Sequence, residues 1–171
     1  MRVVGLDVST TIAGISIVED GELKYYSHYE FASEDDEIQS AFVFKHSVLP
    51  QLQTGDVFVL EDALKAYAGG RTSSTSIMKL VKFNGIVEFL IAEEYGYESI
   101  HKIHPATARK QAWGRSRPKD RTIDTKYWIV QQVIEKYKLD FPFKEKSKKT
   151  PKPYQDHVYD ICDSITLSLS Y

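Results

Sequence analysis

What the chain has little of narrows its class before any motif is sought. Its 171 residues include one cysteine, Cys162, so no internal disulfide can form. Set in an apolar helical stretch, that thiol is expected to be buried and reduced. No run approaches the roughly 18 apolar residues of a membrane span, which predicts no membrane partner. The opening Met1–Ser9 has neither a long apolar core nor a small-residue cleavage site, so no secretory leader is expected and a cytoplasmic setting follows. No serine sits in a Gly-x-Ser-x-Gly turn, which removes the hydrolase elbow. The five histidines and one cysteine lack the paired spacing of a zinc site, and zinc is not expected.

Positive charge is also scarce, but only locally. Residues 1–101 carry seven Lys/Arg against 16 Asp/Glu, and residues 153–171 carry none against three. Residues 102–152 reverse this with 15 against five, although the net charge is −2. A basic segment beside an acidic body suits a polyanion held by one face. With 42% apolar residues the chain has enough to build the core of one domain, expected to span 1–171.

The pattern along the chain reads as alternating strands and helices. Residues 2–8, 12–18 and 22–30 read as three strands, the last two joined at Asp20-Gly21, which makes an antiparallel meander. A helix is expected from Asp35 or Asp36 to Pro50 with Ile38, Phe42, Val48 and Leu49 inward, then a fourth strand over 57–61. Residues 63–75 read as a Gly/Ser/Thr-rich loop. A long helix over 74–94 carries Ile77, Leu80, Val81, Val87, Leu90 and Ile91 as its apolar stripe. A fifth strand over 98–104, a short helix opened by Pro105, a basic loop over 114–120 and a helix over 122–138 follow. Residues 141–153 read as a basic linker without apolar periodicity, and 154–171 as the closing helix. This order predicts an α/β fold, a five-stranded mixed sheet with helices on both faces.

Four carboxylates then fall at matching places. Strands one and four end in Asp7 and Glu61, and functional groups gather at the carboxyl ends of parallel strands. In the closing helix Asp156, Asp160 and Asp163 share one face at i, i+4 and i+7. Each acid alone has a bland reading as a turn or surface charge; their conjunction at one edge does not. Oxygen donors of this kind suit Mg²⁺, with Mn²⁺ a substitute. Two such ions about 3.5–4 Å apart would serve an in-line phosphodiester displacement.

Three stretches carry a resemblance. Gly5-Leu-Asp-Val-Ser-Thr-Thr-Ile-Ala-Gly-Ile-Ser-Ile17, Val59-Leu-Glu-Asp62 and Asp160-Ile-Cys-Asp-Ser-Ile165 resemble the acidic motifs of RuvC-type Holliday junction resolvases, in the RNase H-like superfamily. His104-Pro-Ala-Thr-Ala-Arg-Lys-Gln-Ala-Trp-Gly114 and Pro118-Lys-Asp120 resemble the family's Pro-x-x-x-Lys…Gly…Asp-Lys segment, and the wording is nearest to divergent phage-type members. The resemblance implies Asp7, Glu61, Asp160 and Asp163 as catalytic metal ligands for two ions. It implies Arg109, with Lys110 as an alternative, and Lys119 as phosphate contacts; Arg109 stands for a Lys and Lys119-Asp120 inverts Asp-Lys. Leu64 or Tyr67 falls near the junction-probing position, and Arg71, Arg115 and Arg117 add charge for DNA. A homodimer through the helix over 74–94 is also implied, in a bacterial or phage-infected cell.

The function expected is a metal-dependent endonuclease for four-way junctions and other branched DNA, without a nucleotide cofactor. Flaps, forks, RNA–DNA hybrids and a non-catalytic DNA-binding module are the rival readings. Actin-like sugar and acetate kinases share a similar first strand, but they need two such domains around a nucleotide, and 171 residues are too few.

Overall fold

The computed structural model describes residues 1–32, 36–62, 74–142 and 153–171. Strands β1 (Arg2–Val8), β2 (Ile12–Glu19) and β3 (Glu22–Glu30) form the expected antiparallel meander. Asp20 and Gly21 both take positive φ in the β2–β3 reversal, as a two-residue hairpin turn requires. Strand β4 (Val57–Glu61) lies parallel to β1, and β5 (Ile100–Ile103) parallel to β4, giving the order β3-β2-β1-β4-β5.

Alternation along the central strands sends side chains to two cores. On one face Val4, Leu6, Val8, Phe58 and Leu60 pack with Ala41 and Phe44 of α1 (Glu37–Ser47) and with Phe83, Val87 and Ile91 of α2 (Ser74–Tyr95). On the other, Val3 and Val59 meet Ala108 of α3 (Pro105–Trp113) and Leu167 of α5 (Asp156–Leu169). Helix α4 (Thr125–Tyr137) then packs Ile129, Val130 and Val133 against Val158, Ile161, Cys162 and Ile165 of α5. Helices thus cover both faces of a five-stranded mixed sheet, and Cys162 is buried. Among the described residues no helix is long and apolar enough to cross a membrane.

Three expectations need correction. The inward face of α1 is Ala41 and Phe44, leading to Val48 and Leu49, while Ile38 and Phe42 are 53% and 64% exposed. The Asp36 capping box starts the helix, and packing onto α2 sets its rotation against the simple apolar count. Helix α4 begins at Thr125 instead of Thr122, because Asp124 accepts from the Tyr127 N–H as its N-cap. Phe141, expected in a solvated linker, is buried edge-on to Tyr26 at 5.9 Å. The rest of that stretch, 143–152, and the loop over 63–73 lie outside the described residues.

Candidate active site and metal centre

Asp7 and Glu61 occupy equivalent places on neighbouring parallel strands. One step past the Leu6–Leu60 pair, the same register brings Asp7 beside Glu61. By alternation both belong to the Val3 and Val59 face, the one that α5 covers.

Two glycines let α5 lie close enough to add its own acids. A Cβ at Gly5 would overlap the Ser164 carbonyl oxygen and stand 2.7 Å from the Ser168 backbone nitrogen. A Cβ at Gly14 would overlap the Asp160 carbonyl oxygen and stand 2.5 Å from its carbon. The helix backbone therefore rests on the bare backbone of β1 and β2, fastened by a buried 2.9 Å hydrogen bond between the Ser16 and Ser168 hydroxyls. That seating brings Asp160 and Asp163 to the ends of β1 and β4.

The four acids line one cleft of about 350 Å³ together with Ser9, Asn84, Arg109 and Lys126. Its walls are tied down by hydrogen bonds. Ser9 Oγ accepts from the Ile12 N–H at 3.0 Å and donates to the Ile12 carbonyl at 2.8 Å, closing the β1–β2 turn. Asn84 Nδ2 donates to the Val8 carbonyl at 3.2 Å, pinning α2 to the end of β1. Trp113 Nε1 donates to Thr166 Oγ1 at 3.0 Å, pinning α3 to α5. His104 caps α3 through the Ala106 N–H, Pro105 starts it, and Arg109 follows one turn later.

Charge in the cleft is unbalanced. Burial first, then the carboxylates of Asp163 and Glu61, push the Asp7 carboxyl well above its ordinary range. Burial and Asp163 raise Glu61 to about 7, against the pull of Lys126 and Arg109. Burial works against the Lys126 charge, yet Asp163, Asp7 and Asp160 hold its pKa above the ordinary lysine value. Its ammonium sits 3.2 Å from Asp163. Among the described residues of the cleft, four carboxylates facing two cations leave a surplus that a divalent cation would relieve, and an all-oxygen donor set fits Mg²⁺ or Mn²⁺. Among the described residues, no three of these carboxylates bring ligand atoms within 4.8 Å of one another. The donors are spread along the cleft, not gathered into one cage.

Lys126 is the residue that sequence reasoning missed. Lys119, assigned as the second phosphate contact, is exposed and does not line the cleft. The α4 cap at Asp124 puts Lys126 in the first helical turn, toward Asp163. The signal was present in Asp124-Thr-Lys126, an acid and a lysine in the Asp-Lys order, ahead of an apolar run. Arg109 lines the cleft, with its Nε donating to the Ser116 carbonyl at 3.0 Å. Lys110, Arg115 and Arg117 are exposed on α3 and the loop after it. Asp156 is exposed and outside the cleft lining, one turn short of Asp160. Leu64, Tyr67 and Arg71 lie outside the described residues.

No protein-family model and no curated protein matches the chain. Solved structures do. Thermus thermophilus RuvC aligns over 99% of this chain and 92% of its own, with 14% identity and a TM-score of 0.60. The same protein in complex with a Holliday junction substrate aligns over 99% and 91%, with 13% identity and a TM-score of 0.63. The chain has the RuvC fold. At this identity the likeness is one of backbone path.

Proposed function

We propose that the protein is a metal-dependent, structure-selective DNA endonuclease that cuts four-way junctions and other branched DNA. The observation that carries this is the cleft itself: four carboxylates from β1, β4 and α5, with Arg109 and Lys126 in the same wall. The RuvC fold supports the substrate class, since one structure of that fold holds a Holliday junction.

Asp7, Glu61, Asp160 and Asp163 would hold Mg²⁺ or Mn²⁺, two ions in the loaded site, supplying an activated water and a stabilised leaving oxygen for phosphodiester hydrolysis. The chain's own residues do the rest. Arg109 and Lys126 place positive charge where the scissile phosphate gathers negative charge. Asp163 fixes the Lys126 ammonium, so that charge is preorganised. Lys110, Lys119, Arg115 and Arg117 supply backbone contacts that grip DNA without reading sequence, and Leu64, Tyr67 and Arg71 would add further DNA contacts.

Two symmetrical cuts need two sites, which a two-fold dimer supplies. Helix α2 offers a surface for it. Met78 and Phe89, 71% and 63% exposed, lie three turns apart on one side of the helix. Gly85 falls between them on that side, with open space where a side chain would stand.

The test uses synthetic four-way junction, flap and linear duplex of matched sequence, each with Mg²⁺ or EDTA, beside the Asp7→Asn variant. Paired symmetrical nicks on the junction, absent in EDTA and in the variant, are expected. Binding without metal-dependent cutting would sink the nuclease reading. Flap cutting at the junction rate would keep the chemistry and move the substrate.

A further inference from the structure

A second group of ligating side chains lies outside the acidic cleft. His28 and Glu30 alternate onto the same face of β3, the edge strand of the sheet. His157 comes from the first turn of α5. Gly14 pairs with His28 and lets the α5 backbone approach at Asp160, which brings His157 over β3. The two imidazole rings stack at 4.0 Å and 4° from parallel, so one ring must turn about its own side-chain bonds for both lone pairs to meet a single ion. His28 Nε2 stands 3.7 Å from Glu30 Oε1. One ligand atom from each of the three residues lies within 4.8 Å of the others, a convergence that no other group among the described residues reaches.

We propose that His28, Glu30 and His157 form a separate site for one borderline transition-metal ion, Zn²⁺ or Co²⁺, that clasps the edge strand to α5. Two imidazole nitrogens and one carboxylate suit such an ion and disfavour Mg²⁺, which takes oxygen donors. Three protein ligands leave a fourth position for water. His28 and His157 are far apart in sequence, so spacing rules for zinc motifs overlook them; the fold makes the pair. The clasp joins β3 to α5 less than one turn before Asp160, so the ion would stiffen the helix that carries two of the cleft acids. The site does not depend on the nuclease reading.

The test is a Co²⁺ titration of the intact chain in excess Mg²⁺, read by visible absorption and calorimetry, with circular dichroism confirming the fold of each variant. An Asp7→Asn/Glu61→Gln variant should retain one Co²⁺ per chain at unchanged affinity. His157→Gln and His28→Gln should each weaken it by at least about tenfold, the smaller end of what even outer-shell changes cost at metal sites. Glu30→Gln, at an exposed position, should weaken it while leaving the fold intact, and serves if a histidine variant does not fold. Unchanged affinity in the folded variants, or binding abolished by the acid substitutions alone, would overturn the proposal.

Discussion

Lys126 and Lys119 are seven residues apart and carry the same charge, but their surroundings assign them different work. Lys126 lies among Asp163, Asp7 and Asp160, half in the cleft wall. Lys119 is exposed on the loop before α4. Lys126→Met should therefore slow single-turnover cutting of bound junction by about 100-fold, the scale of losing one preorganised charge. Lys119→Met should leave that rate alone and lower the salt dependence of DNA binding by about one counterion. Equal effects of the two on the cutting rate would remove Lys126 from the chemistry. Among the acids the same logic separates Asp156 from Asp160. Asp160→Asn should cost more activity than Asp156→Asn, since only Asp160 lines the cleft; equal losses would bring Asp156 into the site. The strand-end acids were legible because period-two alternation and strand polarity place them. Lys126 was not, because its role turns on where a helix begins, and the Asp124 cap sets that start three residues later than the apolar pattern does.

How α5 sits on the sheet decides whether the four acids meet at all. Gly5 and Gly14 are the contact points, and each faces helix backbone that has no rotamer to yield. Gly14→Ala should destabilise the protein by about 1–3 kcal/mol, the usual cost of overpacking. It should also cut activity by more than the lost folded population explains, because the helix must rise at Asp160. Gly85→Ala in α2 is the control for stability alone, because Gly85 lies on the surface proposed for the dimer. With nothing within 4 Å, it should add about 0.5–1 kcal/mol through helix propensity. Urea unfolding beside junction cutting would decide it, and a Gly14→Ala protein of full activity would show that α5 is not held to this height. The strands were readable from their short apolar runs between turn signals. The need for bare backbone beneath α5 was not, since a glycine in a strand looks the same whether it meets solvent, a bulge or a helix. The rotation of α1 escaped for a related reason: Phe42 and Phe44 are equally apolar, and only the position of α2 selects Phe44 for the core.

Across the protein as a unit, folding gathers acids that the open chain keeps apart, and this couples stability to pH and to metal. Asp7 is held well above its ordinary value and Glu61 is raised to about 7, so the folded state binds protons that the unfolded chain has released. The sign follows from linkage. Without divalent ions, the contribution of these two acids is fullest below the ordinary carboxylate values near pH 4, and it falls as pH rises, for Glu61 through about 7. The Lys126–Asp163 pair does not blur this window, since the lysine keeps its charge throughout it. Metal-free protein should thus melt at a lower temperature at about pH 8 than at about pH 5.5, opposite to a protein whose carboxylates are well paired. Mg²⁺ would take the place of the lost protons, because an ion that binds only the folded state stabilises it by mass action. The Mg²⁺-induced rise in melting temperature should therefore be larger at the higher pH, and Asp7→Asn/Glu61→Gln should flatten both the pH slope and the Mg²⁺ response. Differential scanning fluorimetry across that range, with Mg²⁺ or EDTA, measures both together. A pH slope in EDTA that the Asp7→Asn/Glu61→Gln variant leaves unchanged would mean the cleft acids are already neutralised by the chain's own cations, and the case for a metal centre would lose its electrostatic ground.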